Sequence, residues 1–210
     1  MLSPKIKFLN KLKKFNVPRF TYYKVEDWTR SQKLILNYIK NNFNKEIAVR
    51  SACIDEDNKI SNAGKYRSIL KINSQNSKEV VSAINEVISS FGKKKGNSFI
   101  IQEMINNVKA SGVVFTKDPN SGFPITIINY IKSNRTDLIT SGEISGNQHI
   151  YLNHQKVNIK PKNKFINDIK KKILEIIKLT KLKNLDIEFC IDKKNKFYLL
   201  QCRPLKINTI

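Results

Sequence analysis

Cysteine and acidic side chains are the two scarcities of this sequence. Its 210 residues hold three cysteines, Cys53, Cys190 and Cys202, an odd number with no pair at metal-type spacing. That excludes a disulfide framework or a zinc site as the organising device, and it makes a reducing compartment, the cytoplasm, the expected home. No stretch approaches the roughly 20 apolar residues that a membrane span requires. The opening MLSPKIKFLNKLKKF alternates Lys with apolar residues and lacks the apolar run and small-residue cleavage site of a secretory signal. Only two histidines occur, His149 and His154, in a β-like region without a partner motif, so neither is a credible phosphate acceptor or metal ligand.

Acids are outnumbered: 17 Asp plus Glu face 39 Lys plus Arg, for a net charge of +22. Such a field attracts nucleic acid, anionic membrane or phosphate-rich ligands. The basic residues are mostly Lys scattered among Asn and Ile, a pattern that biased residue usage on a solvated surface also produces. Nucleic-acid readers use clustered Arg and interleaved aromatics, so this pattern disfavours a nucleic-acid partner. A 40% hydrophobic content with 9% aromatics is that of a folded globular chain.

Apolar spacing then sets the elements. Ile6, Leu9 and Leu12, with Phe8 and Phe15, recur at helical intervals after Ser3 and Pro4, which suit the cap and first turn. A second helix is expected around 30–43, with Leu34, Ile35, Tyr38 and Ile39 on one stripe. A short strand at 47–51 enters an aperiodic loop, 67–72 reads as a strand, and Val80 to Phe91 mark a helix that ends before GKKKG. From residue 98 onward short β-like runs follow one another, and one long helix at 163–179 precedes a closing pair of strands. The expected division is a first lobe of about 1–97 and a second of about 98–210.

The closing pair carries chemistry. Closed symmetrically on Asp192-Lys193-Lys194-Asn195, it sets Glu188 opposite Leu199 and Asp186 opposite Gln201, so that Asp186, Glu188, Gln201 and Arg203 share one face. A carboxylate beside a carboxamide oxygen suits Mg²⁺, and a guanidinium suits a phosphate. Taken alone, the same face is also what a salt-bridged exposed strand presents, and a one-residue shift of register would dissolve it.

Three further stretches give this hairpin a context. AVRSACIDED (48–57) with NAGKYRSILKI (62–72), IIQEMI with SGVVFTKDP (100–119), and LDIEFCIDKKNKFYLLQCRP (185–204) resemble, in wording and order, the N-terminal nucleotide-binding domain of phosphoenolpyruvate synthase, pyruvate phosphate dikinase and rifampin phosphotransferase. The resemblance covers most of residues 47–205. It implies an α+β, ATP-grasp-like fold of two lobes with mostly antiparallel sheets, flanking helices and a nucleotide cleft between them. It also implies that Lys5 and Arg50 contact ATP phosphates, that the segment Gly64 to Ser68 folds over them, and that Gln102 borders the adenine. Glu188 and Gln201 would hold Mg²⁺, with Arg203 on the transferring phosphates.

Three departures stand out, one of them a span between Trp28 and Arg50 that is short compared with the family. The family's Gly-Gly-Lys opening is matched only in outline by Ser3-Pro4-Lys5. A Trp-Gly-Leu-Gly-Glu-like segment is replaced by NYIKSNRTDLITSG (129–142), which points to altered nucleotide handling. The chain stops just past the hairpin, so the expected acceptor is a histidine on a separate protein carrying a swivelling phosphohistidine domain, a phosphoenolpyruvate/pyruvate barrel, or both. The alternatives are an inactive module that binds ATP or AMP to regulate a partner, and a basic nucleic-acid binder.

Overall fold

Two antiparallel sheets, each with its own helices and its own core, organise the chain. The structure is a computed structural model and describes residues 2–53, 67–91, 96–133, 147–152 and 164–207. The chain divides into two units, residues 1–7 with 18–105, and residues 8–17 with 106–210. Helix α1 (Pro4–Lys11) starts where the sequence places it: Ser3 accepts from Lys7 N through its carbonyl at 3.1 Å and from Ile6 N through Oγ at 3.5 Å.

In the first unit β1 (Phe20–Lys24), β2 (Glu46–Ala52), β3 (Ser68–Asn73) and β4 (Ser98–Glu103) form a sheet of order β1-β4-β2-β3. Helices α2 (Val25–Asn42) and α3 (Ser77–Phe91) cover it. All six apolar residues that mark α3 in the sequence pack on this sheet, Val80, Ile84, Val87, Ile88 and Phe91 buried and Val81 half-buried, and Ala83 joins them. Each fully buried aliphatic or aromatic side chain contributes about 1.5–3 kcal/mol.

Helix α2 departs from expectation. It begins at Val25, not near 30, because Glu26 and Asp27 occupy its first turn and Asp27 Oδ2 accepts from Lys24 N at 3.2 Å. Trp28 anchors this extension, donating its indole N–H to Asn85 Oδ1 at 3.0 Å and meeting Phe99 edge-on. The helix is kinked at Ser31, so Ile35 and Ile39 are buried while Leu34 is 71% exposed and Tyr38 47%. Strand β4 belongs to the first sheet although it was expected to open the second lobe: its residues Ser98 to Gln102 are buried between β1 and β2.

The second unit builds a sheet of order β7-β6-β5-β8-β9 from β5 (Val108–Phe115), β6 (Ile125–Ile131), β7 (Asn147–Leu152), β8 (Leu185–Asp192) and β9 (Phe197–Pro204). Helix α4 (Lys164–Thr180) packs Ile166, Ile169, Ile173 and Ile176 against one face, together with Leu12 and Phe15. Three residues of the motif SGVVFTKDP have structural roles. A Cβ on Gly112 would lie 2.4 Å from the Asn129 carbonyl oxygen and 2.8 Å from the Phe189 ring, so no larger residue fits there. Thr116, fully buried, donates its hydroxyl to the Lys183 carbonyl at 2.9 Å and accepts from Leu185 N at 2.7 Å, which fixes where β8 begins. Asp118 Oδ1 takes the amides of Asn120 and Ser121 at 2.8 and 3.3 Å and so ties the turn after β5; these bonds hold its carboxyl below the usual range.

Candidate functional site

The β8–β9 hairpin assembles its polar face through two irregularities that offset one another. Its loop is one residue longer than a symmetric closure on four residues allows, because Asn195 adopts a left-handed conformation with φ 63°. Asp192 ties the loop together, accepting from Lys194 N and Lys196 N at 2.9 Å through Oδ1 and from Tyr198 Oη at 3.2 Å through Oδ2. This pairs Ile191 with Phe197 and Phe189 with Leu199. Continued unchanged, that register would set Glu188 opposite Leu200 and put the two halves of the polar set on opposite faces.

A bulge at Leu200 prevents this. It inserts one extra residue in β9 and sets Glu188 opposite Gln201 and Asp186 opposite Arg203. The four side chains expected to share a face therefore do so, as direct cross-strand pairs in place of the offset ones foreseen. Gln201 Nε2 donates to Glu188 Oε1 at 3.2 Å, and Arg203 Nε donates to Asp186 Oδ2 at 2.9 Å. Gln201 and Asp186 are buried, while Glu188 and Arg203 are half-buried. The opposite face carries Ile187, Phe189, Ile191, Phe197, Leu199 and Cys202 into the core. Burial, with the Asp186 charge as a lesser cause, pushes the Cys202 thiol up to about 12, so it stays neutral.

The donor set fits a hard cation. Mg²⁺ takes one or two carboxylates and completes its shell with water and phosphate oxygens, and Glu188 with Gln201 supplies one carboxylate and one carboxamide. A half-turn of the Gln201 amide exchanges its oxygen and nitrogen without changing its shape, which would present Oε1 beside the carboxylate. Among the described residues no group of three His, Cys, Asp or Glu forms a separate metal cluster.

Apart from Arg203, the described residues assigned to the phosphates and the base lie in the first unit. Arg50 stands on β2 directly between Ser68 of β3 and Ile100 of β4, and Ala48 next on the same face is paired with Gln102, which is buried. Alternation thus gives Arg50, Ser68 and Gln102 a common face of this sheet. Lys5 reaches the same strand, donating Nζ to the carbonyl of Ser51 at 3.3 Å, and is buried. A bulge in β3 keeps both Ile69 and Ile72 toward the core while Ser68 stays opposite Arg50. Gly64 lies outside the described residues, as do His154 and most of the 129–142 replacement.

One part of the site face was missed in the sequence. Asn129 of β6 pairs with Val113 of β5, which pairs with Glu188, and on its other side Asn129 meets Gln148 of β7, whose Nε2 donates to Asn129 Oδ1 at 3.0 Å. The available signal was an amide interrupting the apolar run ITIINYI, where an internal strand favours β-branched and aromatic residues.

No protein-family model matches the chain, and no curated protein matches it. Solved structures do. The D-alanine–D-alanine ligase of Coxiella burnetii aligns with a TM-score of 0.55 at 12% identity, covering 97% of this chain and 48% of that one. The N5-carboxyaminoimidazole synthetase of Staphylococcus aureus, complexed with ADP, aligns with a TM-score of 0.51 at 14% identity, covering 99% of this chain and 46% of that one. The fold is ATP-grasp-like. The ATP-grasp-like chain spans about half the length of these two enzymes. PH1788 of Pyrococcus horikoshii is nearer in size, with a TM-score of 0.56, 13% identity and coverage of 97% of this chain and 91% of that one. Among the described residues no helix is long and apolar enough to cross a membrane.

Proposed function

We propose that this protein binds Mg-ATP and transfers a phosphoryl or pyrophosphoryl group to a histidine on a separate protein, as one part of a split phosphoenolpyruvate synthase or dikinase-like system. The observation that carries the reading is the cross-strand pairing of Glu188 with Gln201 and of Asp186 with Arg203 on one face of an ATP-grasp-like sheet. A solved neighbour of that fold is complexed with ADP.

In this reading Glu188 and Gln201 hold Mg²⁺, which supplies charge neutralisation on the phosphate oxygens when bound. Arg203, oriented by Asp186, directs guanidinium N–H donors at the transferring group. For the first unit the reading keeps the roles that the resemblance implies: phosphate contacts for Lys5 and Arg50, the covering segment for Ser68, and the adenine border for Gln102. Phosphoryl transfer depends chiefly on positioning and charge stabilisation, so no covalent nucleophile is required in this chain. The acceptor imidazole nitrogen forms the new bond to phosphorus as the bridging P–O bond breaks, releasing ADP, or AMP where a pyrophosphoryl group moves.

The test is to incubate the protein with a swivelling-histidine partner and ATP labelled separately in its β and γ phosphates. Label on the partner's histidine is expected. Saturable nucleotide binding without transfer to any such partner would instead make the protein a nucleotide-binding regulatory module.

A further inference from the structure

The Mg²⁺ pair is one end of a row that crosses the whole second sheet. In register order the row reads Gln148, Asn129, Val113, Glu188 and Gln201, one residue from each of β7, β6, β5, β8 and β9. Directly paired residues share a face, so all five lie on the side opposite the α4 core. Two hydrogen-bonded polar pairs, Asn129 with Gln148 and Glu188 with Gln201, flank the buried Val113. Strands are spaced about 4.8 Å apart, so β6 and β8 are about 9.6 Å apart, and a ligand lying over Val113 is within reach from both sides.

Asn129 is out of place as a structural residue. Its neighbours on the same face of β6 are Ile127 and Ile131, and asparagine is depleted in strands because it adds little packing there and is costly to desolvate. Its amide is also oriented. In this structure Gln148 donates into Oδ1, and with the two amides set this way Nδ2, with its two hydrogens, is the group offered elsewhere. A donor suits an anion and cannot ligate a cation.

We propose that Asn129, set by Gln148, is a further ligand-binding residue of this site, donating Nδ2–H to an oxygen of the terminal phosphate of the metal-bound nucleotide. The inference rests on the Mg-ATP reading above and extends it to a residue in the segment where the sequence departs from its resembled family. Glu188 and Gln201 take the metal side of the triphosphate and Asn129 takes its far oxygens. Gln148 acts only through Asn129 and is a positioning residue.

The decisive variant is Asn129→Asp. It preserves the shape and the acceptor that Gln148 uses, and it replaces only the donor by an anionic oxygen. Calorimetric titration with Mg-ATP is expected to show a Kd at least tenfold weaker for Asn129→Asp and several-fold weaker for Gln148→Ala, with thermal unfolding midpoints matching the parent. Parent-like Kd values in both variants, with the parent binding Mg-ATP, would overturn the assignment of Asn129 while leaving the Mg-ATP reading intact. Absence of Mg-ATP binding by the parent protein would overturn both. If Asn129→Asp lowers the unfolding midpoint, Asn129→Ser, which retains a hydroxyl donor, must restore tighter binding than Asn129→Ala; equal losses in the two contradict the assignment.

Discussion

Glu188 and Gln201 face each other directly across the closing hairpin, joined at 3.2 Å, only because a bulge at Leu200 corrects the register set by the turn. The turn itself depends on Asn195, which holds a left-handed φ of 63°. A β-branched residue pays about 1–2 kcal/mol in that conformation, whereas glycine enters it freely. Asn195→Val should lower unfolding stability by about that amount. Asn195→Gly should leave stability equal or slightly higher, measured by chemical denaturation of both variants.

The same hairpin gives an electrostatic prediction. Asp186 is buried and paired with Arg203, whose side chain is 31% exposed. Replacing Arg203 with Met removes the guanidinium that neutralises this mostly buried carboxylate, at a cost of about 1–3 kcal/mol once solvent screening is allowed for. Restoring neutrality with Asp186→Asn in the same chain should recover part of that loss. A double-mutant cycle by thermal unfolding measures the coupling, and near-additive losses would show that the pair is not coupled.

Gly112 stands where β5 and β6 approach over the Phe189 ring, itself stacked on Phe197 at 5.5 Å. Gly112→Ala forces a methyl against backbone and ring, an overpacking that costs about 1–3 kcal/mol. Reduced amide-exchange protection in β5 and β6 is the expected signature, with α3 of the other unit unaffected.

The Cys202 thiol is raised from 9.0 to about 12 by burial. Below pH 9 it is protonated in both folded and unfolded chains, and it contributes no pH dependence. Above that, the unfolded chain ionises while the folded one does not, so stability should fall as pH rises from about 9 toward 12. Cys202→Ala should flatten this decline, and in the folded parent at pH 8 Cys202 should resist alkylation.

Much of this was legible in the residues. The α3 and α4 stripes, the β2 and β8–β9 strands and the polar hairpin set all follow from period and alternation, because their buried faces leave only one workable register. What was not legible has local causes. The turn chemistry of Asn195 and the Leu200 bulge each shift pairing by one, and neither is visible in a hydrophobic pattern. Strand β1 (FTYYK) is half-buried on both faces and shows no clean alternation. Leu34 and Tyr38 sat on an apparent stripe, but the Ser31 kink and the Trp28 anchor rotate the helix so that they face outward. Asn129 required knowing which strands neighbour β6, which no single stretch of sequence states.

The most direct test of the central claim is calorimetric titration of the parent protein and of Glu188→Gln with ATP, with and without Mg²⁺, at two salt concentrations. Saturable, Mg²⁺-dependent binding by the parent, lost by at least tenfold in Glu188→Gln while the fold persists, is the predicted result. Binding that ignores Mg²⁺ and the Glu188 substitution and collapses with added salt would show that the +22 charge, not the hairpin site, attracts the anion, and would contradict the account.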